Sequence, residues 1–252
     1  MDSKDIVVGV HSIVHAVRNT QRPVYEVVAT DEGIDNLTKM GGMSREEIAK
    51  LPVKMVSSHL LQELAKNHYD ELGFTYNRIP SGVFLVTSPV EVYDPNWIFE
   101  QLSSGRHLKI VCLDGVTDVQ NASAIMRTAA FYDVDCIVVA TKNNFGLGPS
   151  VARIASGALE YVKIVKCSSL PKFIQALEKR DIHPIGLSEH AEVEHLPAIQ
   201  GSRCLILGAE DKGLSNATLR LLKNKIRLSP KGKIQSLNVS VAAAIAMERV
   251  FN

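Results

Sequence analysis

The sequence has no apolar run long enough to cross a bilayer. Its longest, such as residues 136–140, fall far short of the roughly 20 residues a spanning helix needs. No basic-then-apolar leader follows the polar start Met1-Asp2-Ser3-Lys4-Asp5, so no secretory signal is expected and a cytoplasmic location is. Cysteine is scarce: Cys112, Cys136, Cys167 and Cys204, with no Cys-x-x-Cys pair. That argues against a disulfide framework or a zinc ribbon and for buried, reduced thiols. Without a secretory route, the Asn-x-Ser/Thr triplets at Asn121, Asn216 and Asn238 are not glycosylation sites. An excess of one charge is also lacking. With 28 Lys+Arg against 27 Asp+Glu, net charge is +1, which does not mark a general nucleic-acid binder. The remainder, 46% hydrophobic and 22% charged, is that of a soluble globular protein.

The charge is unevenly placed. Residues 1–100 carry 9 basic and 14 acidic side chains, residues 101–200 carry 10 of each, and residues 201–252 carry 9 against 3. The basic excess is therefore C-terminal. Arg220, Lys223, Lys225, Arg227, Lys231 and Lys233 suggest a phosphate-facing edge, although a solvated surface is the plainer account.

Residues 1–90 read as a small α/β domain. Strands are expected over 6–10, 24–29, 53–56 and 82–87, and helices over 11–18 and 58–66. A further helix starts at Ser44, with Glu47 completing a capping box. Ser88-Pro89 and Asp94-Pro95 break this pattern, so residues 91–107 read as a linker with a short helix from Pro95 to Leu102. Residues 108–252 alternate more strictly. Strands are expected over 109–113, 136–140, 162–165, 184–187, 203–207 and 225–228. Helices are expected over 122–131, 149–158, 170–179, 216–223 and 239–250. Short, continuously apolar strands between helices indicate an α/β fold with a mainly parallel sheet covered on both faces. Ligands of such sheets lie beyond the carboxyl ends of the strands, which directs attention to residues 114–121, 141–149, 208–215 and 229–238.

Three of those loops carry candidate chemistry. In the first, Leu113-Asp114-Gly115-Val116-Thr117-Asp118-Val119-Gln120-Asn121 leads into a helix that presents Arg127 under two turns further on. By spacing alone, a helix-capping Asn and a surface Arg are the simpler reading. In the second, Gly208-Ala209-Glu210-Asp211-Lys212-Gly213 follows a buried strand, and its glycines permit close backbone approach. A plain strand-to-helix turn explains it as well. In the third, Lys231-Gly232-Lys233-Ile234-Gln235-Ser236-Leu237-Asn238 enters a helix rich in small residues, whose first amides favour an electron-rich group. Capping and packing are the plainer account there too.

Other constellations are weaker. Ser188-Glu189-His190-Ala191-Glu192-Val193-Glu194-His195 fits no standard zinc spacing and reads as a solvated acidic loop, so no metal is expected. Gly146-Leu147-Gly148 lacks the third glycine of a dinucleotide fingerprint and opens the second strand rather than the first. His11 and His15, one helical turn apart, read as a packed or surface pair.

Taken together, the three loop motifs resemble the SpoU (SpoU/TrmH-type, SPOUT superfamily) RNA 2'-O-ribose methyltransferases. Those read roughly L-D-x-V-x-D-P-x-N-x-G-A-I-x-R-T-A, then G-x-E-x-x-G-(L/M), then S-L-N-V-S-V-A. All three occur here in order, and the resemblance covers residues 108–252. The segment Ala155-Ser156-Gly157-Ala158-Leu159-Glu160 is also similar. Val8-Gly9-Val10-His11-Ser12-Ile13 resembles the small RNA-binding domain of the 23S rRNA guanosine-2'-O-methyltransferase group. The resemblance implies a deep trefoil knot, which pattern reading does not supply because knots are essentially absent from ordinary folds. It implies S-adenosylmethionine as methyl donor, RNA as substrate and a homodimer with no membrane association. Asn121, Arg127, Glu210, Ser236 and Asn238 then match catalytic positions. Gly208, Ala209, Gly213, Leu228 and Leu237 match the cofactor pocket.

Three positions depart from the family pattern: Val119 replaces proline, Ser123 replaces glycine, and Asp211 stands where relatives often have glycine. Ser123 is expected to add a side chain near the RNA or cofactor, and Asp211 a charge beside Glu210. The implied activity is methyl transfer to a ribose 2'-hydroxyl, a guanosine of 23S rRNA first. A tRNA 2'-O-methyltransferase and a catalytically inactive RNA-binding relative are the alternatives. An arginine, with a pKa above about 12, is a poor base at neutral pH. Arg127 is therefore expected to clamp a phosphate and stabilise alkoxide charge.

Overall fold

The computed structural model describes residues 4–180, 182–197 and 200–252. Residues 1–3 of the polar start lie outside the described residues. Contacts divide the chain into two units, Met1–Val90 with Leu147–Glu160, and Glu91–Gly146 with Tyr161–Asn252.

The first unit holds β1 (Asp5–Val8), α1 (Val10–Arg18), β2 (Val24–Ala29), α2 (Asp31–Lys39), α3 (Arg45–Ala49), β3 (Val53–Met55), α4 (Ser58–Glu71) and β4 (Val83–Thr87). Its four strands lie in the order β1-β4-β2-β3. β4, buried at every position, pairs antiparallel with both β1 and β2. Strand alternation divides the apolar residues between two clusters: Val7, Val27 and Leu85 face one way, Ile6, Val28 and Phe84 the other. Ser44 and Glu47 form the expected capping box.

Helix α2 departs from the sequence reading. Its Gly, Asp and Asn residues are weak helix formers. The Thr30 side chain caps it, and Leu37 is buried beneath it. Gly33 is needed there, because a Cβ would lie 2.0 Å from the Gly82 carbonyl oxygen.

Residues 147–160 join this unit through a helix (Pro149–Ala155) and a 3-10 turn (Ala158–Glu160). Ser12 Oγ donates to the Ala152 carbonyl at 2.7 Å. Buried Arg22 pairs with Glu160 and, at 3.0 Å, with Asp5, while its Nε donates to the Ser88 carbonyl.

In the second unit, β5 (Val92–Tyr93) and α5 (Pro95–Ser103) lie within the stretch read as a linker. Asp94 caps α5 and Pro95 opens it. They precede β6 (Lys109–Asp114), α6 (Val119–Phe131) and β7 (Cys136–Ala140). Counting the helix of the first unit as α7, there follow β8 (Lys163–Cys167), α8 (Leu170–Glu178), β9 (His183–Leu187), β10 (Arg203–Gly208), α9 (Asn216–Leu219), β11 (Asn224–Ile226) and α10 (Val239–Phe251). The seven strands are all parallel, in the order β11-β9-β10-β6-β7-β8-β5. Ile110, Val138, Val165 and Ile206 of these strands, with Phe173, Ile174 and Leu177 of α8, belong to a core cluster that includes all four cysteines. Among the described residues no helix is long and apolar enough to cross a membrane.

From β6 the chain runs outward through β7 to β8; β10 and β9 lie on its other side. The order therefore reverses between β6 and β10. In an open parallel sheet, a crevice forms where neighbouring connections leave in opposite directions.

Candidate active site

Two of the three motif loops leave the sheet at that reversal, after Asp114 of β6 and Gly208 of β10, which are paired in register. Asp114 Oδ2 accepts the Ser215 backbone N–H at 2.8 Å and ties the loops together. Asp118 caps α6 by accepting the Asn121 backbone N–H at 2.8 Å. This corrects the sequence reading: the helix starts at Val119, and its cap is Asp118 rather than Asn121. The Asn121 side chain is left for other contacts.

Those contacts form a closed triangle. Asn121 Nδ2 donates to Glu210 Oε2 at 2.9 Å, and Asn238 Nδ2 donates to Asn121 Oδ1 at 2.8 Å and to Glu210 Oε1 at 3.2 Å. Asn238 Oδ1 caps α10, accepting Ser240 N–H at 2.9 Å and Ser240 Oγ–H at 2.6 Å. Each Glu210 oxygen thus receives an amide hydrogen, and one Asn121 N–H remains unused. The loop carrying Glu210 is closed on itself, with reciprocal backbone bonds between Ala209 and Gly213 of 3.0 and 2.8 Å. Gly208 is obligatory beneath it, because a Cβ there would lie 2.1 Å from the Gly213 carbonyl carbon.

Two clefts open here. One of about 400 Å³ is bordered by Gly115, Asp118, Asn121, Ala209, Glu210 and Asp211. The other, about 490 Å³, is walled by residues 228–237 and contains Leu228, Ser236 and Leu237. Arg127 borders neither. It is exposed, and its guanidinium makes no hydrogen bond or ion pair with the described residues.

The second cleft also uses Leu187, read as the end of a strand, and Ser188 and Glu189, which sequence reading assigned to a solvated acidic loop. Their position just past the carboxyl end of β9 was the available signal. The Ser229 hydroxyl in its wall holds the Glu194 carboxyl below the usual carboxylate range, with Lys231, Arg249 and Arg227 adding to the effect. Among the described residues no group of three His, Cys, Asp or Glu could hold a metal. Ser123 is corrected as well. It is fully buried, its Oγ has no partner, and it borders neither cleft. It belongs to the packing of α6 and not to the ligand surface.

The SpoU rRNA Methylase family matches residues 109–248, a span that contains all three motif loops. The chain belongs to that family. Similar SpoU-type proteins include the 23S rRNA (guanosine-2'-O-)-methyltransferase RlmB of Pseudomonas syringae pv. tomato. It is 33% identical over 172 residues, covering 67% of this chain and 68% of the relative. The protein of the same name from Pseudomonas aeruginosa is 26% identical over 253 residues, 98% of this chain and 96% of the relative. Among solved SpoU structures, AviRb from Streptomyces viridochromogenes in complex with the cofactor AdoMet superposes with a TM-score of 0.74. That match is at 21% identity and covers 98% of this chain and 89% of that one. It establishes the shared fold, a mixed α/β architecture with a large parallel sheet.

Proposed function

We propose that the protein transfers a methyl group from S-adenosylmethionine to a ribose 2'-hydroxyl of RNA, specifically of a guanosine in 23S rRNA. The observation that carries this reading is the Asn121–Glu210–Asn238 triangle. Three side chains far apart in sequence converge at the reversal of a parallel sheet in a SpoU family member.

The larger cleft fits the methyl donor. Its volume of about 490 Å³ lies within the range of about 300–1,000 Å³ usual for small-molecule sites. Leu187, Leu228 and Leu237 supply apolar wall. Leu228 and Leu237, with the backbone of Gly208, Ala209 and Gly213, would hold the adenosine end. When bound, the donor supplies an electrophilic methyl carbon on a sulfonium and leaves as S-adenosylhomocysteine.

The chain's own part is positioning and charge. Glu210 fixes the two amides, and the free Asn121 N–H is directed by that anchoring toward a ribose or phosphate oxygen. Arg127, unclaimed among the described residues, clamps a neighbouring phosphate and stabilises negative charge on the attacking oxygen. The hydroxyl proton passes to water. Ser236, exposed in the donor cleft, and Asn238 complete the wall on the side of α10.

The same reading covers the finer organisation. Residues 1–90 form the substrate-RNA domain, where exposed Arg78 and Asn77 border a small cavity together with exposed Arg153 of the 147–160 segment. Residues 91–107 connect it to the knotted methyltransferase domain, 108–252. Two chains pair through α10, whose Val241 and Ile245 are exposed four residues apart, and through the neighbouring α6, whose Phe131 is exposed. The protein works in the cytoplasm, on RNA. Ribose-methylation mapping in a strain lacking the gene tests the assignment. Loss of one 2'-O-methylguanosine from 23S rRNA is expected. A mark lost only from tRNA, or no mark lost at all, would contradict it.

A further inference from the structure

The longer wall of the larger cleft, residues 228–237, belongs to no helix or strand. Among the described residues its main-chain groups form no hydrogen bond with other main-chain groups. The wall is tied at its two ends instead. At the far end Asn238 caps α10 and joins the triangle with Asn121 and Glu210. At the near end the ties converge on residues 193 and 194. The Val193 carbonyl accepts the Arg227 backbone N–H at 2.9 Å, and the Glu194 carboxylate accepts the Ser229 hydroxyl. The carbonyls of Glu194 and Arg227 then share one donor nitrogen, Arg249 Nη1, at 3.2 and 3.1 Å. Arg249 lies in the last turn of α10 and is half-buried. The strap that ends at Glu194 starts in the opposite wall, where Ser188 borders the cleft and donates its backbone N–H to the Ile226 carbonyl at 2.9 Å. Both walls therefore depend on the pairing of residues 188–194 with residues 226–229, and Arg249 clasps that pairing where the loop departs.

Glu194 and Arg249 border a neighbouring cavity and not the cleft itself. They can reach a ligand of the cleft only through the main chain they hold. A hydrogen bond from a charged donor shifts the balance between held and released states by about 10-fold or more. A site that is formed for only a fraction of the time binds its ligand with affinity lowered by that fraction. A wall without main-chain bonds of its own draws that fraction from its end ties. We infer that Arg249 is a positioning residue for the methyl donor: it joins the Glu194 and Arg227 carbonyls and so keeps the two walls of the larger cleft in their binding arrangement. The inference rests on the reading of that cleft as the donor site. It gives α10 a part at each end, with Asn238 in the triangle and Arg249 behind the donor.

The test uses the full-length protein, with S-adenosylmethionine affinity measured by calorimetry and methyl transfer to large-subunit rRNA from a strain lacking the gene. Arg249→Met keeps the apolar stem and removes both bonds. It should raise the donor Kd, and the donor KM with it, about 10-fold or more. With donor saturating, kcat and the affinity for RNA should stay within about twofold of wild type, because only donor binding has lost support. One nitrogen makes both bonds, and an ammonium also carries enough donors for two carbonyls, so Arg249→Lys should stay within about threefold of wild type. Glu194→Ala frees Ser229 and should weaken donor binding too. Its effect combined with Arg249→Met should fall short of the product of the two, because both act through residue 194. Urea unfolding shows which variants are folded at the assay temperature. A folded Arg249→Met protein with wild-type donor affinity would make Arg249 a brace of α10 alone and overturn the inference. So would a fall in kcat with donor affinity intact, or an Arg249→Lys protein no better than Arg249→Met. Should Arg249→Met fail to fold, Glu194→Ala decides, and unchanged donor affinity there overturns the inference. In each of these cases wild-type transfer leaves the methyl-transfer reading standing. A wild type that binds no S-adenosylmethionine would remove that reading and this inference with it.

Discussion

Asn238 spends every polar atom of its side chain. Its amide hydrogens go to Asn121 and Glu210, and its oxygen caps α10. Removing it opens two sides of the triangle at once, and a displacement of about 1 Å in a positioning group costs about 100-fold in rate. Asn238→Ala is therefore expected to lower kcat by about 100-fold while donor affinity changes little, measured in single turnovers with calorimetry alongside. An unchanged kcat would mean the triangle is only a structural brace. At this scale the sequence was partly legible. The motif loops named Asn121, Glu210 and Asn238, but spacing alone leaves the first as a plain helix cap. Only the reversal of strand order between β6 and β10, a long-range property, brings it beside residues 89 and 117 positions later. Two of the three departures from the family pattern separate for a similar reason. Ser123 turns inward under α6 and Asp211 outward into the cleft, and a residue type does not disclose which.

Elements are read well where one local rule dominates. The runs at β2 and β7 have the expected bounds, and the Ser44 capping box forms. Local rules fail where tertiary contact overrides them, as in α2, where weak helix formers are held by a cap and by the close approach of Gly33 to Gly82. The tie of residues 158–160 to β1 by Arg22 likewise has no local signal. Arg22 is 7% exposed, and the Glu160 side chain 5%. Removing the cation strands a buried carboxylate, which costs about 3–5 kcal/mol. Arg22→Met should lower stability by that amount in urea unfolding, and a change under about 1 kcal/mol would contradict the buried-pair account. The strands β6, β7, β8 and β10 carry the thiols. Burial pushes Cys167 up to about 11, and Cys112 and Cys136 well above the ordinary thiol range. The folded chain keeps these protons where an unfolded one loses them, above about pH 8.5. Their stabilising contribution is therefore complete below that pH and is lost as pH rises toward 11. Urea midpoints should fall across that window, and none of the four buried thiols should react with a thiol reagent at pH 8 before unfolding. Rapid labelling of the folded protein would contradict this.

For the molecule as a whole, alternating strand and helix signals reached the parallel sheet, because continuous apolar strands admit few other packings. The division into units is harder to read. Residues 147–160 follow β7 in sequence yet pack with β1 and α1, through partners about 140 positions away. The knot that the family resemblance implies is a property of threading, which no local pattern encodes. Delivery of a methyl group to a 2'-oxygen, as proposed, is read directly by alkali. A free 2'-hydroxyl lets alkali cut the adjacent phosphodiester, and a 2'-O-methyl group blocks the cut. With S-adenosylmethionine labelled in its methyl group and rRNA from a strain lacking the gene, the label should appear in alkali-resistant dinucleotides. Label released in mononucleotides, or no incorporation at all, would contradict the account.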